Sequence, residues 1–81
     1  LSVYPNPAND KIYVSISLEK ESTVQIKIIA MNGITDIISS STIEQGVHDI
    51  EIAISKYVAG AYIIQLYVNN DLLSSSKLIK Y

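Results

Sequence analysis

The sequence lacks cysteine, tryptophan, phenylalanine and arginine, and it contains only two prolines and three glycines. Without cysteine the chain can form no disulfide, no thiol nucleophile and no cysteine-based zinc site. Nucleic-acid-binding surfaces are usually basic and rich in arginine, so a net charge of −2 argues against that class. No apolar run approaches the roughly 18 residues of a membrane-spanning helix. The start also lacks a signal peptide and an initiator methionine, so we expect a fragment excised from a larger protein.

β-Branched residues dominate the chain. Its 81 residues are 48% hydrophobic and include 15 isoleucines and six valines, which fit a pleated surface better than a helix. Apolar side chains recur at every second position in four segments, namely 12–18, 24–30, 50–54 and 62–68. This period indicates half-buried antiparallel strands, with Ile28 and Ile52 facing inward. We therefore predict one all-β domain over residues 1–81, an Ig-like two-sheet antiparallel β-sandwich of about seven strands.

The predicted strands cover residues 1–4, 11–18, 23–30, 34–41, 47–54, 61–69 and 72–80. The pattern leaves the register of the fourth and seventh strands open. In the fourth strand, Ile37 and Ile38 do not fit one parity. In the seventh strand, Leu72 and Leu78 lie on one face while Leu73 lies on the other. Since a slip of one residue exchanges the two faces of a strand, side-chain alternation alone cannot fix either register.

Turn residues separate the strands. Asn32-Gly33 stands between two apolar runs, which predicts a two-residue type I′ hairpin turn with positive φ at Gly33. Residues 69–71, Asn-Asn-Asp, indicate a further turn. Pro5 and Pro7 lack the backbone N–H that a β-ladder needs, so they interrupt the pairing between the first and second strands.

Three titratable side chains of the fifth strand are candidates for catalysis. His48 is followed by Asp49, but neighbouring strand residues point to opposite faces, so Asp49 cannot easily orient His48. Asp49 and Glu51 lie about 6.5–7 Å apart on one face, which resembles the spacing of glycosidase carboxylates. The isoleucines occupy the other face, so a solvated strand surface is the simpler interpretation. We expect no enzyme activity.

Polar turns and tyrosines suggest two binding alternatives. Oxygen-rich side chains occupy the first and last turns, namely Asn6, Asn9, Asp10, Asn69, Asn70 and Asp71. They lack the ligand spacing of a dedicated calcium loop, and Asx turns explain them without a metal. An aromatic platform for sugar would draw on Tyr4, Tyr13, Tyr57, Tyr62 and Tyr67. By parity Tyr13 and Tyr67 point outward, whereas Tyr62 points inward and is expected to tether a turn through its hydroxyl. The serine runs 39–41 and 74–76 indicate exposed edge strands.

Five segments in order resemble a known family. They are Tyr4-Pro5-Asn6-Pro7-Ala8, the strand and Asn-Gly turn at 26–33, the strand at 46–52, the Ala-Gly-x-Tyr segment at 57–64 and the Lys-rich end at 77–81. In this order and spacing they resemble the type A C-terminal sorting domain of the type IX (Por) secretion system. Tyr57-Val58 replaces the Leu-Pro that the family usually has before Ala-Gly-x-Tyr.

The resemblance implies a function of being recognised rather than of catalysis. It implies an N-terminal cargo domain, an outer-membrane translocation machinery that recognises the folded module, and a sortase-like peptidase that removes it, with possible surface anchoring. The parent would pass through the periplasm of a Gram-negative bacterium to the medium or cell surface. No cofactor is implied. The family's recognition residues would be Gly60, Tyr62, Lys77 and Lys80, and its motif residues Tyr4, Pro5, Asn6, Pro7, Asn32 and Gly33.

Physical reasoning adds one expectation and leaves two alternatives. Exposed Lys77 and Lys80 on an edge strand would prevent unwanted strand pairing and would steer an acidic receptor. A carbohydrate-binding or adhesive sandwich would be supported if Tyr13 and Tyr67 formed one exposed aromatic surface. A plain Ig-like spacer would tolerate truncation at its C-terminal end.

Overall fold

The computed structural model describes residues 2–5 and 7–81, which form seven strands and no helix. The strands are β1 (Ser2–Tyr4), β2 (Lys11–Leu18), β3 (Ser22–Ala30), β4 (Thr35–Ile43), β5 (Gly46–Ala53), β6 (Gly60–Val68) and β7 (Asp71–Lys80). Their number agrees with the sequence prediction, and no end within the described residues differs from it by more than two positions. The described residues therefore offer no helix that could span a membrane.

The strands form two antiparallel sheets that pack face to face. One sheet has the order β1-β2-β5 and the other the order β4-β3-β6-β7. Alternate residues of both sheets point inward and form the core, whose fully buried side chains include Ile12, Val14, Val24, Ile26, Ile54, Ile64 and Leu78. Ile28 and Ile52 are 2% and 5% exposed, as their parity predicted. The two-sheet antiparallel β-sandwich is thus confirmed.

A bulge in β4 explains why its isoleucines fit no single parity. Ile26 of β3 pairs with Ser39, but Lys27 pairs with Ile37, so Ile38 is an additional residue on β4. A bulge of this kind reverses the face of every residue beyond it. Ile38 is half-buried and packs against the core, whereas Ile37 is largely exposed.

A second bulge resolves the register of β7. Leu66 of β6 pairs with Ser74 and Tyr67 pairs with Leu72, which leaves Leu73 as the additional residue. Leu72 and Leu78 have the same parity in the sequence, yet Leu72 is 52% exposed and Leu78 is fully buried. The bulge between them causes this difference, because it shifts the alternation by one residue.

The turn at Asn32-Gly33 differs from the prediction. Gly33 has the expected positive φ, +88°. The loop, however, has three residues, 31–33, and is closed by two hydrogen bonds of 2.9 Å: the Gly33 N–H donates to Ala30 O, and the Ala30 N–H donates to Ile34 O. The two-residue type I′ prediction is therefore wrong. Asn32 accepts the Ile34 N–H through its side chain at 3.1 Å. A three-residue loop needs positive φ at one position, which glycine supplies.

The two-residue turn with positive φ at both positions joins β6 and β7. Asn69 and Asn70 have φ values of 51° and 72°, and Val68 pairs directly with Asp71. Asparagine tolerates left-handed backbone better than other non-glycine residues. The Asn69 side chain also accepts the Thr23 N–H at 3.0 Å, which ties this turn to β3.

The proline-containing segment after β1 crosses to the other sheet. The Tyr4–Pro5 peptide bond is cis, and Asn6 lies outside the described residues. Ala8 is buried and forms a bridge with Lys80 of β7. Its N–H donates to Ile79 O at 2.8 Å, and its carbonyl accepts the Tyr81 N–H at 2.9 Å. The N-terminal segment thus covers the last residues of the chain.

Candidate recognition site

Segments that lie far apart in the sequence meet at one end of the sandwich. Gly60 at the start of β6 pairs with Lys80 at the end of β7, and Ala8 bridges to the same lysine. Ala30 at the end of β3 pairs with Tyr62, so the loop that contains Gly33 lies beside the same segment. We call this end the motif end and define it as residues 7–10, 30–34, 56–62 and 77–81. All of the segments that carried the family resemblance, except the strand at 46–52, contribute to it.

Tyr62 holds the connection between β5 and β6 in place. The side chain is 4% exposed, and its hydroxyl donates to the carbonyl of Val58, four residues earlier. Such a bond at the start of this strand is the tyrosine corner of Ig-like sandwiches. Tyr62 therefore points inward and tethers a turn, as its position in the sequence suggested.

Tyr57 fixes the same connection to β4. Its ring lies edge-on to that of Tyr62, with centroids 5.9 Å apart and planes at 69°. Its hydroxyl donates to Asp36 Oδ2 at 3.0 Å. Burial, followed by the hydrogen bond and charge of Asp36, raises the pKa of Tyr57 to about 12. The connection is therefore anchored to both its own strand and the neighbouring edge strand.

Gly60 is required by its backbone conformation rather than by crowding. Its φ is +156°, a value that side-chain-bearing residues rarely adopt, and no atom lies within 4 Å of a Cβ placed there. Glycine reaches such a conformation without steric cost. Gly60 thus allows the chain to enter β6 directly after the tethered turn.

The two terminal lysines lie in different environments. Lys77 is exposed, whereas Lys80 is only 8% exposed. The prediction that both are exposed is therefore wrong for Lys80. Two features explain its burial: it lies on the same inward face as Leu78, and the bridge to Ala8 covers this end of β7. That a receptor recognises either lysine stays a prediction.

Two adjacent grooves open at the motif end. Their volumes are about 260 Å³ and 220 Å³, and both are lined by Ala30, Asn32, Val58 and Tyr62. The larger groove continues along residues 59–61, and the smaller one extends over Ile34, Asp36, Lys56 and Tyr57. Met31, Ile34 and Val58 are 67%, 62% and 77% exposed. A cluster of large exposed apolar side chains around a groove is typical of an interaction surface.

The candidate catalytic residues form no cleft. His48 pairs with Ile16 on the inner face of its sheet, while Asp49 pairs with Ser15 on the outer face, as strand alternation predicted. The His48 Nε2 atom lies 2.8 Å from the carbonyl oxygen of Glu44. His48 thus contacts the backbone of the preceding turn rather than a nucleophile.

The two carboxylates lie on the exposed outer face of the three-stranded sheet. Glu51 accepts the Tyr13 hydroxyl at 3.1 Å and forms an ion pair with Lys11 at 3.2 Å. The hydrogen bond from Lys11 is the main reason that the pKa of Glu51 is lowered from its usual value. Glu51 and the neighbouring Asp49 are both exposed. This arrangement agrees with the solvated strand surface expected from the sequence.

The tyrosines do not form the surface that a carbohydrate-binding module would need. Tyr13 belongs to β2 and Tyr67 to β6, so their outward side chains lie on opposite surfaces of the sandwich. Lys27 Nζ lies 4.1 Å from the centroid of the Tyr67 ring. Tyr13 instead stacks on Tyr4, with centroids 5.5 Å apart and planes at 24°. This stack follows from the pairing of Tyr4 with Tyr13, which alternation alone does not reveal.

The polar turns proposed as calcium ligands are far apart. Asn9 and Asp10 belong to the motif end, whereas residues 69–71 lie at the opposite end, beside Thr23. Asn6 lies outside the described residues. Within residues 2–5 and 7–81, no three His, Cys, Asp or Glu side chains lie close enough together to hold a metal ion.

The fold and the motif end together define an Ig-like β-sandwich module in which exposed apolar side chains surround the grooves at the motif end. Residues 2–81 match the family model of the secretion system C-terminal sorting domain, and the chain belongs to this family. Neither the curated proteins nor the solved structures give a match. Membership identifies the chain as a C-terminal sorting signal of type IX secretion. It also implies a cargo on the N-terminal side and a location outside the cell or at the cell surface of a bacterium.

Proposed function

We propose that this domain directs the protein to which it is joined across the outer membrane, and that the translocation machinery recognises its motif end. The parent passes through the periplasm, and a sortase-like peptidase then removes the domain, with the cargo either released or anchored. The observation that carries the choice of surface is the meeting of the motif segments around grooves rimmed by Met31, Ile34 and Val58. Exposed apolar clusters of this kind favour protein partners.

The direction of β1 supports this choice. Ser2 pairs with Ser15 and Tyr4 pairs with Tyr13, so β1 runs toward the motif end. A cargo joined before Ser2 therefore enters from the side away from the motif end. The grooves then remain accessible while the cargo is attached, which a recognition signal on a fused protein requires.

The four family recognition residues divide into two groups by their environment. Gly60 and Tyr62 shape the turn that lines the grooves, and the buried Lys80 pairs with Gly60. Lys77 is exposed on the outer face of the edge strand, where its charge can meet an acidic receptor. In this proposal the machinery contacts the grooves and Lys77, while Gly60, Tyr62 and Lys80 maintain the surface.

Export of a fusion protein tests the proposal. The domain is fused behind a periplasm-targeted reporter in a host with a functional type IX system, and we expect the reporter at the cell surface or in the medium, without the domain. Lys77→Gln should reduce export while the fold persists, because surface charge changes usually alter stability by about 0.5 kcal/mol or less. Lys20→Gln, an exposed lysine at the opposite end, is the matched control.

One result would contradict the sorting function, and another would contradict only the choice of the motif end as the recognition surface. If the intact fusion stays in the periplasm while a known cargo is exported, the domain is not a sorting signal in that host. If the intact fusion is exported and changes of Met31 and Val58 to serine have no effect, the motif end is not the surface recognised. Circular dichroism of each purified variant confirms that its fold is intact.

A further inference from the structure

Three of the four outer strands of the two sheets carry features that prevent further strand pairing. β1 is three residues long and is followed by Pro5. β4 has a bulge at Ile38. β7 has a bulge at Leu73 and an exposed Lys77, and its end is bonded to Ala8. Short length, proline, bulges and charged side chains, especially lysine, are the usual means by which proteins protect an edge from pairing with another chain.

β5, the fourth outer strand, is neither short nor bulged, and its charged side chains are the carboxylates of Asp49 and Glu51 rather than lysines. It is eight residues long and pairs with β2 without a register shift from Lys11–Ala53 to Leu18–Gly46. It contains neither proline nor lysine. Within the described part of the chain, no strand pairs with its other side. Its free backbone groups are therefore arranged as a regular template for one more strand.

The backbone groups that face the free side can be assigned. The Ile54 N–H, just after β5, donates to Asp10 O at 2.9 Å and therefore points toward β2. In an antiparallel ladder every second residue directs its N–H and C=O to the same side. His48, Ile50 and Ile52 thus bond to β2, while Val47, Asp49 and Glu51 present their backbone groups to the free side.

The side chains of the same residues indicate the chemistry of a partner. Val47 is 75% exposed, and Asp49 and Glu51 place two carboxylates on the outer face. Both contacts of Glu51, with Lys11 and Tyr13, use Oε1. Ile50 is only half-buried beneath the edge, so an added strand would complete its cover. Opposite charges across strands are favourable, and like charges directly opposite are unfavourable.

We propose that the free edge of β5 binds an extended segment of another protein in which basic residues alternate with apolar ones. The basic side chains would pair with Asp49 and Glu51, and the apolar ones would cover Ile50 on the inner side. A second copy of this domain is disfavoured, because antiparallel pairing of two β5 strands would bring the acidic residues of both copies together. Addition of a strand to an open sheet edge is a common mode of peptide recognition. This binding does not depend on the sorting function.

Amide hydrogen exchange measured by NMR tests the proposal on the isolated domain. In the free protein, the amides of Val47, Asp49 and Glu51 should exchange fast, and those of Ile50 and Ile52 should be protected. The probe is a capped heptapeptide that alternates valine and lysine. We expect it to protect the three fast amides. A peptide with glutamate in place of lysine should bind about two- to five-fold more weakly for each charge pair lost, and an N-methylated lysine peptide should give no protection.

Asp49→Pro supplies a variant of the domain itself. It removes one outward N–H and a charge without touching the bonds to β2, so binding should be lost while Ile50 and Ile52 stay protected. If the amides of Ile50 and Ile52 exchange fast in this variant, the substitution has disturbed the strand. The test then is the comparison of the lysine peptide with its N-methylated form on the unchanged domain. The proposal is overturned if the lysine peptide protects β4 rather than β5, if it protects neither, or if the glutamate peptide binds equally well. Concentration-dependent protection of Val47 and Asp49 in the free domain would assign the edge to a second copy and also overturn it.

Discussion

Changing Tyr62 to phenylalanine removes one hydroxyl and leaves the buried ring in place. The hydroxyl donates to the carbonyl of Val58, and a hydrogen bond of this kind contributes about 0.5–1.5 kcal/mol to stability. Val58 lies in a turn and is 77% exposed. Water can therefore replace, in part, the donor that its carbonyl loses. We therefore expect a loss of about 1 kcal/mol, which lowers Tm by roughly 4–8 °C in a domain of this size.

Tyr67→Phe is the matched control for this change. Tyr67 is half-buried on the outer surface of the same strand, and its hydroxyl donates to Gln65 at the longer distance of 3.3 Å. Its loss should stay within about 0.5 kcal/mol, as is usual for surface substitutions. Because the chain has no tryptophan, urea unfolding is best followed by circular dichroism.

The comparison of the two variants decides whether Tyr62 tethers the turn. Tyr62→Phe should also speed amide exchange in residues 56–60, since the bond joins this turn to β6, whereas Tyr67→Phe should not. If both variants unfold at the same urea concentration and residues 56–60 exchange alike, the hydroxyl contributes nothing measurable and the tethering argument is wrong.

Three further changes test other parts of the structure. Ile64→Ala should lower the free energy of unfolding by about 2–5 kcal/mol, because the side chain is fully buried. Ile34→Ala, at a residue that is 62% exposed, should change urea unfolding little. Equal losses of stability in the two variants would contradict the assigned core. Gly33→Val should destabilise the domain by about 1–3 kcal/mol because valine resists a φ of +88°; unchanged stability would refute that conformation. Tyr57 should ionise near its raised pKa of about 12 in an ultraviolet titration. The stabilisation that accompanies this shift, from burial and from the contact with Asp36, is fully present below pH 10 and is lost as pH rises through 12; ionisation of Tyr57 at the ordinary value of 10 would refute the raised pKa.

Side-chain alternation was sufficient to predict four of the seven strands but not how the strands pair. A period of two residues depends only on the neighbours along the chain, so the all-β fold and the inward positions of Ile28 and Ile52 could be predicted. The bulges at Ile38 and Leu73 depend on which residues of β3 and β6 lie opposite them. Local sequence does not show which residues lie opposite each other. The ambiguous parity of these two strands was the one sign that a bulge was present.

The composition of the candidate site was partly predictable, whereas its exposure was not. The inward position of Tyr62 follows from parity and from the glycine two residues before it. The burial of Lys80 has two tertiary causes, the bulge that sets the alternation of β7 and the bridge from Ala8 near the other end of the chain. Likewise, the three-residue loop at Gly33 results from the hydrogen bond between Ala30 and Ile34. The Asn-Gly sequence favours a two-residue turn and gives no sign of this pairing.

The motif segments have a physical role that is separate from recognition, since they close one end of the sandwich. Gly60, Tyr62 and Lys80 are bound into that closure by backbone conformation, a hydrogen bond and strand pairing. Loss of export in variants of these three residues would therefore follow from a damaged end even if no receptor touched them. Met31 and Val58 are exposed by 67% and 77% and contribute little to the core. Because a receptor can contact them while the fold does not need them, their variants separate recognition from stability.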